Sequence, residues 1–144
     1  MKVIAPSLAI KDHYRADACI VWCFDDRFSK ALDSYIIEKG LVHLDIVKIA
    51  GGAKELATPS DEHNREFVLG QILASIRLHH TRRVVLMNHA DCGAYGGSKV
   101  FGDNKREKDF HQRELEAGRD FLAKHIPGVP IDIIYVDFDN VQEL

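Results

Sequence analysis

Ala18-Cys19-Ile20-Val21-Trp22-Cys23-Phe24-Asp25-Asp26-Arg27 starts as an unbroken apolar run and finishes in three charges. Apolar residues without alternation, many β-branched or aromatic, mark a strand buried on both faces. Such a strand belongs in a sheet that helices cover on either side, so the neighbouring segments should be helical. Phe28 to Lys39 places Phe28, Leu32, Tyr35 and Ile36 on one helical stripe, with Gly40 positioned to end it. Leu44 to Ile49 returns to strand character and stops at Gly51-Gly52. Thr58-Pro59-Ser60-Asp61 then offers a cap, a proline at the first helical position and a first-turn acid. The long helix it predicts lines up Val68, Ile72 and Ile76 and ends near His79-His80.

Val84 to Asn88 reads as a third buried strand, and a loop with Gly93, Gly96, Gly97 and Gly102 follows. A charged helix from about Lys105 to His125 buries Phe110, Leu115, Phe121 and Leu122, and Ile131 to Val136 makes a fourth strand. Strands alternating with helices build βαβ units with right-handed crossovers. The expected fold class is therefore α/β: a three-layer α/β/α arrangement around a mainly parallel sheet of four strands in the order 2-1-3-4. Residues 1–144 are expected to form one domain. In such sheets ligands bind beyond the carboxyl ends of the strands, where the strand order reverses.

Composition narrows the function classes. Lys+Arg 19 against Asp+Glu 22 leaves a net charge of −3 with no basic block, so the footprint of a nucleic-acid binder or a polybasic membrane anchor is missing. No apolar run approaches the ~20 residues that span a bilayer. The opening residues lack a small-residue cleavage site, and the expected location is cytoplasmic. Three cysteines is an odd count, which in a reducing compartment favours ligands, nucleophiles or buried fillers over disulfides.

The two strand tails hold the chemistry. Strand one ends in Cys23-Phe24-Asp25-Asp26-Arg27 and strand three in Asn88-His89-Ala90-Asp91-Cys92-Gly93. If these strands are neighbours, Cys23, His89 and Cys92 converge as two thiolates and an imidazole, a donor set that suits Zn²⁺ and leaves its fourth position open. Asp25 beside the first cysteine can fill that position or hydrogen-bond a bound water, and Arg27 can keep it ionised and aimed.

In these residues the chain resembles the β-class carbonic anhydrases. The Cys-x-Asp-x-Arg motif of that family stands as Cys23 to Arg27, and His-x-x-Cys-Gly stands as His89 to Gly93; the aspartate before the cysteine also matches many members. Ala50-Gly51-Gly52 is similar to the family's Ala-Gly segment near the substrate. The resemblance implies Zn²⁺ on Cys23, His89 and Cys92, a catalytic dyad of Asp25 and Arg27, and substrate contacts at Gly51, Gly52 and Gly93. It implies reversible hydration of carbon dioxide to bicarbonate, with zinc-bound hydroxide as the nucleophile and the dyad orienting it. Homodimers or higher homo-oligomers follow from the same resemblance.

Some positions depart from it. Asn88 precedes the metal histidine where glycine is usual, Lys48-Ile49 stands where Arg-Asn is common, and the stretch before Ala18 is short. Three other functions stay open: hydrolysis of carbonyl sulfide or carbon disulfide on the same fold, a non-catalytic zinc-stabilised assembly domain, and a Cys92 nucleophile with His89 as base. Plainer roles are expected elsewhere. Cys19, ~13 Å from Cys23 along an extended strand, is a buried small hydrophobe. His79 and His80 complement a helix dipole. His13, His63, His111 and His125 face solvent, His43 is exposed or a proton relay, and Tyr95 packs. Asp26 is a solvated acid at a helix start, and Asp103 to Glu116 forms a solvated helix face.

Overall fold

A computed structural model describes all 144 residues. The apolar run forms β1 (Ala18–Trp22), fully buried along its length. Its side chains alternate between two cores. Cys19 and Val21 enter one with Leu56, Ile72, Leu86, Leu115 and Leu122, while Ala18, Ile20 and Trp22 enter the other with Phe28, Leu32, Tyr35 and Met87. That division explains the missing polar residues, since neither face of the strand meets water.

β1 pairs in parallel with β2 (Leu44–Lys48) on one side and β3 (Val84–His89) on the other. β3 pairs in parallel with β4 (Ile131–Val136), and β4 pairs antiparallel with β5 (Val141–Glu143). The sheet thus has five strands in the order β2-β1-β3-β4-β5, extending the expected four by a short edge strand. The turn Asp137–Asn140 escaped the sequence reading because β5 has only three residues, too few for a period to show.

One face of the sheet carries α1 (Ser29–Glu38), which buries Leu32 and Tyr35 after a short helical turn over Asp26–Phe28. Asp26 accepts a hydrogen bond from Ser29 Oγ at 3.0 Å, as a helix-start acid should. The other face carries α2 (Lys54–Ala57), α3 (Glu62–His79) and α4 (Asn104–His125). No helix is long and apolar enough to cross a membrane.

Two sequence expectations need correction here. The long helix begins at Glu62 rather than at Pro59, because Asp61 is the cap: its carboxylate accepts the His63 N–H at 2.7 Å. The residues before it form α2 instead, whose Leu56 is fully buried. The charged stretch of α4 is not a solvated face throughout. Glu107, His111 and Glu114 are all buried, and His111 has no exposed surface at all. They lie at i, i+4 and i+7, on the stripe that continues into Leu115, Gly118 and Leu122. Gly118 allows this close approach: a Cβ there would fall 3.3 Å from the Leu86 side chain.

Candidate metal centre

Register brings the two strand tails together. Val21 lies opposite Leu86, so Cys23, two residues on, leaves β1 beside the end of β3, where His89 is the last strand residue. Asp91, with φ +54, turns the chain so that Cys92 comes back to the same point. The ligating atoms of Cys23, His89 and Cys92 all lie within 4.8 Å of one another, and all three residues are buried. Cys19, by contrast, is sealed in the core, where burial pushes its thiol up to about 11.

His89 defines the donor set of the cluster. Its Nδ1 lies 2.7 Å from the Ala90 carbonyl. A carbonyl only accepts, so Nδ1 carries the proton and Nε2 holds a lone pair. That Nε2 is buried with no hydrogen-bond partner. Phe28 at 4.4 Å and Trp22 at 5.5 Å between ring centroids wall the imidazole in place. An orphaned buried acceptor is rare and asks for an explanation. Two thiols beside it supply one, because a cation held by S, N and S would satisfy the lone pair and both sulfurs.

The thiols are prepared for this. Cys23 is pulled down, first by its contact with Cys92 and then by the backbone at Asp25 and Gly51, against the opposing effect of burial. The proton the pair retains stays on Cys92, pushed up by its bond to Cys23 and by burial. Gly51 therefore serves the sulfur through its backbone. Gly52 serves packing: a Cβ there would fall 2.2 Å from the Met87 carbonyl oxygen. Both glycines are buried, with φ of +78 and +57.

Asp25 and Arg27 stand beside the cluster as one unit. Arg27 donates from Nη2 at 2.7 Å and from Nε at 3.1 and 3.2 Å to the Asp25 carboxylate, which also accepts the Arg27 backbone N–H at 3.1 Å. The Arg27 guanidinium holds the Asp25 carboxyl below the usual carboxylate range. A cleft of about 510 Å³ opens here, lined by Asp25, Arg27, Asp91, Gly93, Gly96, Gly97 and Lys99, with no apolar side chain among them.

Behind the cluster lies a buried polar network that sequence reasoning missed. Asn88 Oδ1 accepts the Ala53 N–H at 3.0 Å, and its Nδ2 reaches Tyr95 Oη at 3.3 Å and His111 Nδ1 at 3.4 Å. Tyr95 and Thr58 both donate to Glu114, at 3.3 and 2.6 Å. Tyr95 is thus a hydrogen-bonding strut rather than only a packed ring. His111 leaves solvent for this network, and burial lowers it to about 4. The signal available was the helical spacing of Glu107, His111 and Glu114 in line with Leu115 and Leu122.

The other histidines lie away from the centre. His43 precedes β2, whose Leu44 pairs with Ala18, so it sits at the end of the sheet opposite Cys23. His79 does more than complement a dipole: its Nδ1 lies 2.8 Å from Asp45 and its ring packs on Tyr14. His80 ends α3 in the left-handed conformation, φ +51. Ile49, where the family often carries Asn, packs against the main core.

Comparison with known proteins identifies the fold and the family. An uncharacterized protein of Rickettsia conorii is 22% identical over 147 residues, covering 99% of this chain and 79% of its own length. Among solved structures, β-carbonic anhydrase isoform I of Trichomonas vaginalis aligns with a TM-score of 0.60 at 17% identity, over 96% of this chain and 87% of that one. The tetrameric β-carbonic anhydrases of Sordaria macrospora align with a TM-score of 0.61 at 15% identity, over 91% and 81%. The apo form of a carbon disulfide hydrolase aligns with a TM-score of 0.54 at 15% identity, over 86% and 76%. The chain therefore has the β-carbonic anhydrase fold. The family model described as "Putative carbonic anhydrase" matches residues 14–143, nearly the whole chain, and the protein belongs to that family.

Proposed function

We propose that the protein is a zinc-dependent carbonic anhydrase that interconverts carbon dioxide and bicarbonate. The observation that supports this most is the unpartnered, buried His89 Nε2 within 4.8 Å of two thiols, beside an Asp25–Arg27 pair. Cys23, His89 and Cys92 would hold the metal, which when bound supplies Lewis acidity and acidifies water to near neutral pH. Asp25 is ionised and so can only accept hydrogen bonds. It would accept a hydrogen bond from the attacking hydroxyl group, turning an oxygen lone pair toward the substrate. Arg27 holds Asp25 in that state. Gly93, on the cleft wall, would offer its backbone N–H to a bicarbonate oxygen. Gly51 would meet substrate only through the cluster it supports, and Gly52 through the shape of the floor.

The test is stopped-flow carbon dioxide hydration by the zinc-loaded chain at about pH 7 and pH 8.5, where an Asp25 bound to the metal at the lower pH would be displaced at the higher. A rate above buffer that falls about a hundredfold or more in Asp25→Ala is expected. No rate at either pH sinks the proposal. The fold likeness to a carbon disulfide hydrolase keeps one second reading. A cleft lined only by polar and glycine residues favours a substrate pair with a charged member over a wholly apolar one. Hydrogen sulfide release from carbonyl sulfide or carbon disulfide exceeding carbon dioxide turnover would reverse that choice.

We also infer a homo-oligomer in the cytoplasm. β2 is an open sheet edge with Ile46 exposed, and Val3, Ile4, Leu8 and Ile10 are exposed on a segment without regular structure. Such surface favours association, and three unpaired cysteines suit a reducing compartment. Light scattering that returns the 16.3 kDa monomer mass would refute the assembly.

A further inference from the structure

The Arg27 side chain is 48% exposed. An arginine so open to water, tied to one carboxylate, would gain little from the pair and would lose its aim easily. Arg27 has a second partner. Its Nη1 donates to Asp91 Oδ2 at 2.9 Å and its Nη2 donates to the Asp91 carbonyl at 3.1 Å. The guanidinium therefore bridges two aspartates, one from each strand tail.

Asp91 is built for this contact. Its φ of +54 lies in the left-handed region, which carries a conformational cost for any residue with a Cβ. Three bonds keep it there. The Asp91 N–H donates to Glu107 at 2.7 Å, Ser98 N–H donates to Asp91 Oδ1 at 2.9 Å, and Ser98 Oγ donates to the other Glu107 oxygen at 2.7 Å. Glu107 reaches the loop from α4 and is 2% exposed. One oxygen of the Asp91 carboxylate is thus fixed by its own loop, and the other is left for Arg27. Backbone strain maintained by a buried carboxylate is an outlier from which a role can be inferred.

We propose that Asp91 is a positioning residue: braced by Glu107, it holds the Arg27 guanidinium independently of Asp25. Arg27 then keeps its orientation whether or not Asp25 is engaged with it. The effect on turnover rests on the carbonic anhydrase reading; the anchoring of Arg27 does not.

Asp91→Asn tests it in the zinc-loaded full chain. Asparagine tolerates the left-handed conformation and its Oδ1 still accepts Ser98 N–H, so only the charged bond to Arg27 is lost. The first readout is rotation about the Arg27 Nε–Cζ bond, followed by side-chain nitrogen NMR. Loss of one charge-assisted bond should speed it about tenfold. The second is steady-state hydration: kcat should fall about tenfold with the KM for carbon dioxide little changed, and Asp91→Asn added to Arg27→Ala should cost nothing further.

Arg27 rotation unchanged within about twofold overturns the proposal, as does a kcat loss that adds in full to that of Arg27→Ala. If the parent chain hydrates no carbon dioxide, the functional reading fails and the rotation measurement still decides the role of Asp91. If Asp91→Asn does not fold, Glu107→Gln serves instead. It keeps an acceptor for one of its two donors, and unchanged Arg27 rotation in that variant overturns the proposal equally.

Discussion

His111→Phe should make the protein more resistant to acid than it is now. His111 Nδ1 accepts from Asn88 Nδ2, whose orientation is set by Ala53 N–H on the amide oxygen. The imidazole proton is therefore on Nε2, which is buried without a partner. Burial, with a smaller contribution from the charge of His89, lowers the group to about 4 from its ordinary 6.5; protonating Nδ1 would also set it as a donor against Asn88 Nδ2. The sign follows directly. Below pH 6.5 the unfolded chain takes up a proton that the folded one refuses until about pH 4, so stability falls as pH drops through that window. At about 1.4 kcal/mol per pH unit, the loss is roughly 2 kcal/mol at pH 5 and at most about 3 kcal/mol below pH 4. Phenylalanine keeps the ring against Tyr135, where the centroids are 5.6 Å apart, and leaves Asn88 Nδ2 the Tyr95 hydroxyl. Urea unfolding of both proteins at pH 7.5 and pH 5 checks this, because every other titrating group cancels in the difference. The gap between variant and parent should move in the variant's favour by about 2 kcal/mol on acidification. A gap constant within about 0.5 kcal/mol would show that His111 is not held neutral by its surroundings.

Gly52→Ala should destabilise by about 3 kcal/mol or more, since its Cβ would fall 2.2 Å from the Met87 carbonyl oxygen at φ +57. Gly40→Ala, at φ +63 with nothing within 4 Å, isolates the conformational part and should cost about 1 kcal/mol by the same urea assay. Cys92→Ser should retain far less zinc after dialysis than the parent, whereas Cys19→Ser should retain as much; metal analysis by mass spectrometry separates them. Lys99 lines the cleft as its cation outside the Asp25–Arg27–Asp91 group. Lys99→Glu should raise the KM for bicarbonate several-fold at low salt, with the difference shrinking at high salt, and leave that for neutral carbon dioxide unchanged.

Much of this protein is local information. The apolar run Ala18 to Cys23 forms a strand because it has no polar face to offer water, and the two motifs at the strand tails name their own chemistry by residue type and order. Parallel strands follow from the alternation of strands and helices, whereas the adjacency of β1 and β3 that brings Cys23, His89 and Cys92 together is a fact of the folded sheet. What the sequence could not express is which polar groups leave water. Glu107, His111 and Glu114 read as a solvated helix face by their chemistry, and they are buried because α4 packs against α2, β4 and β3. Asp91 reads as one residue of a motif, and its bond to Arg27 across 64 positions exists only once both strand ends are side by side. Composition and period decide what each segment becomes, since those depend on neighbours a few residues away. The partner of a buried charge is decided by the fold, since the cost of an unpaired charge arises only after water has been excluded.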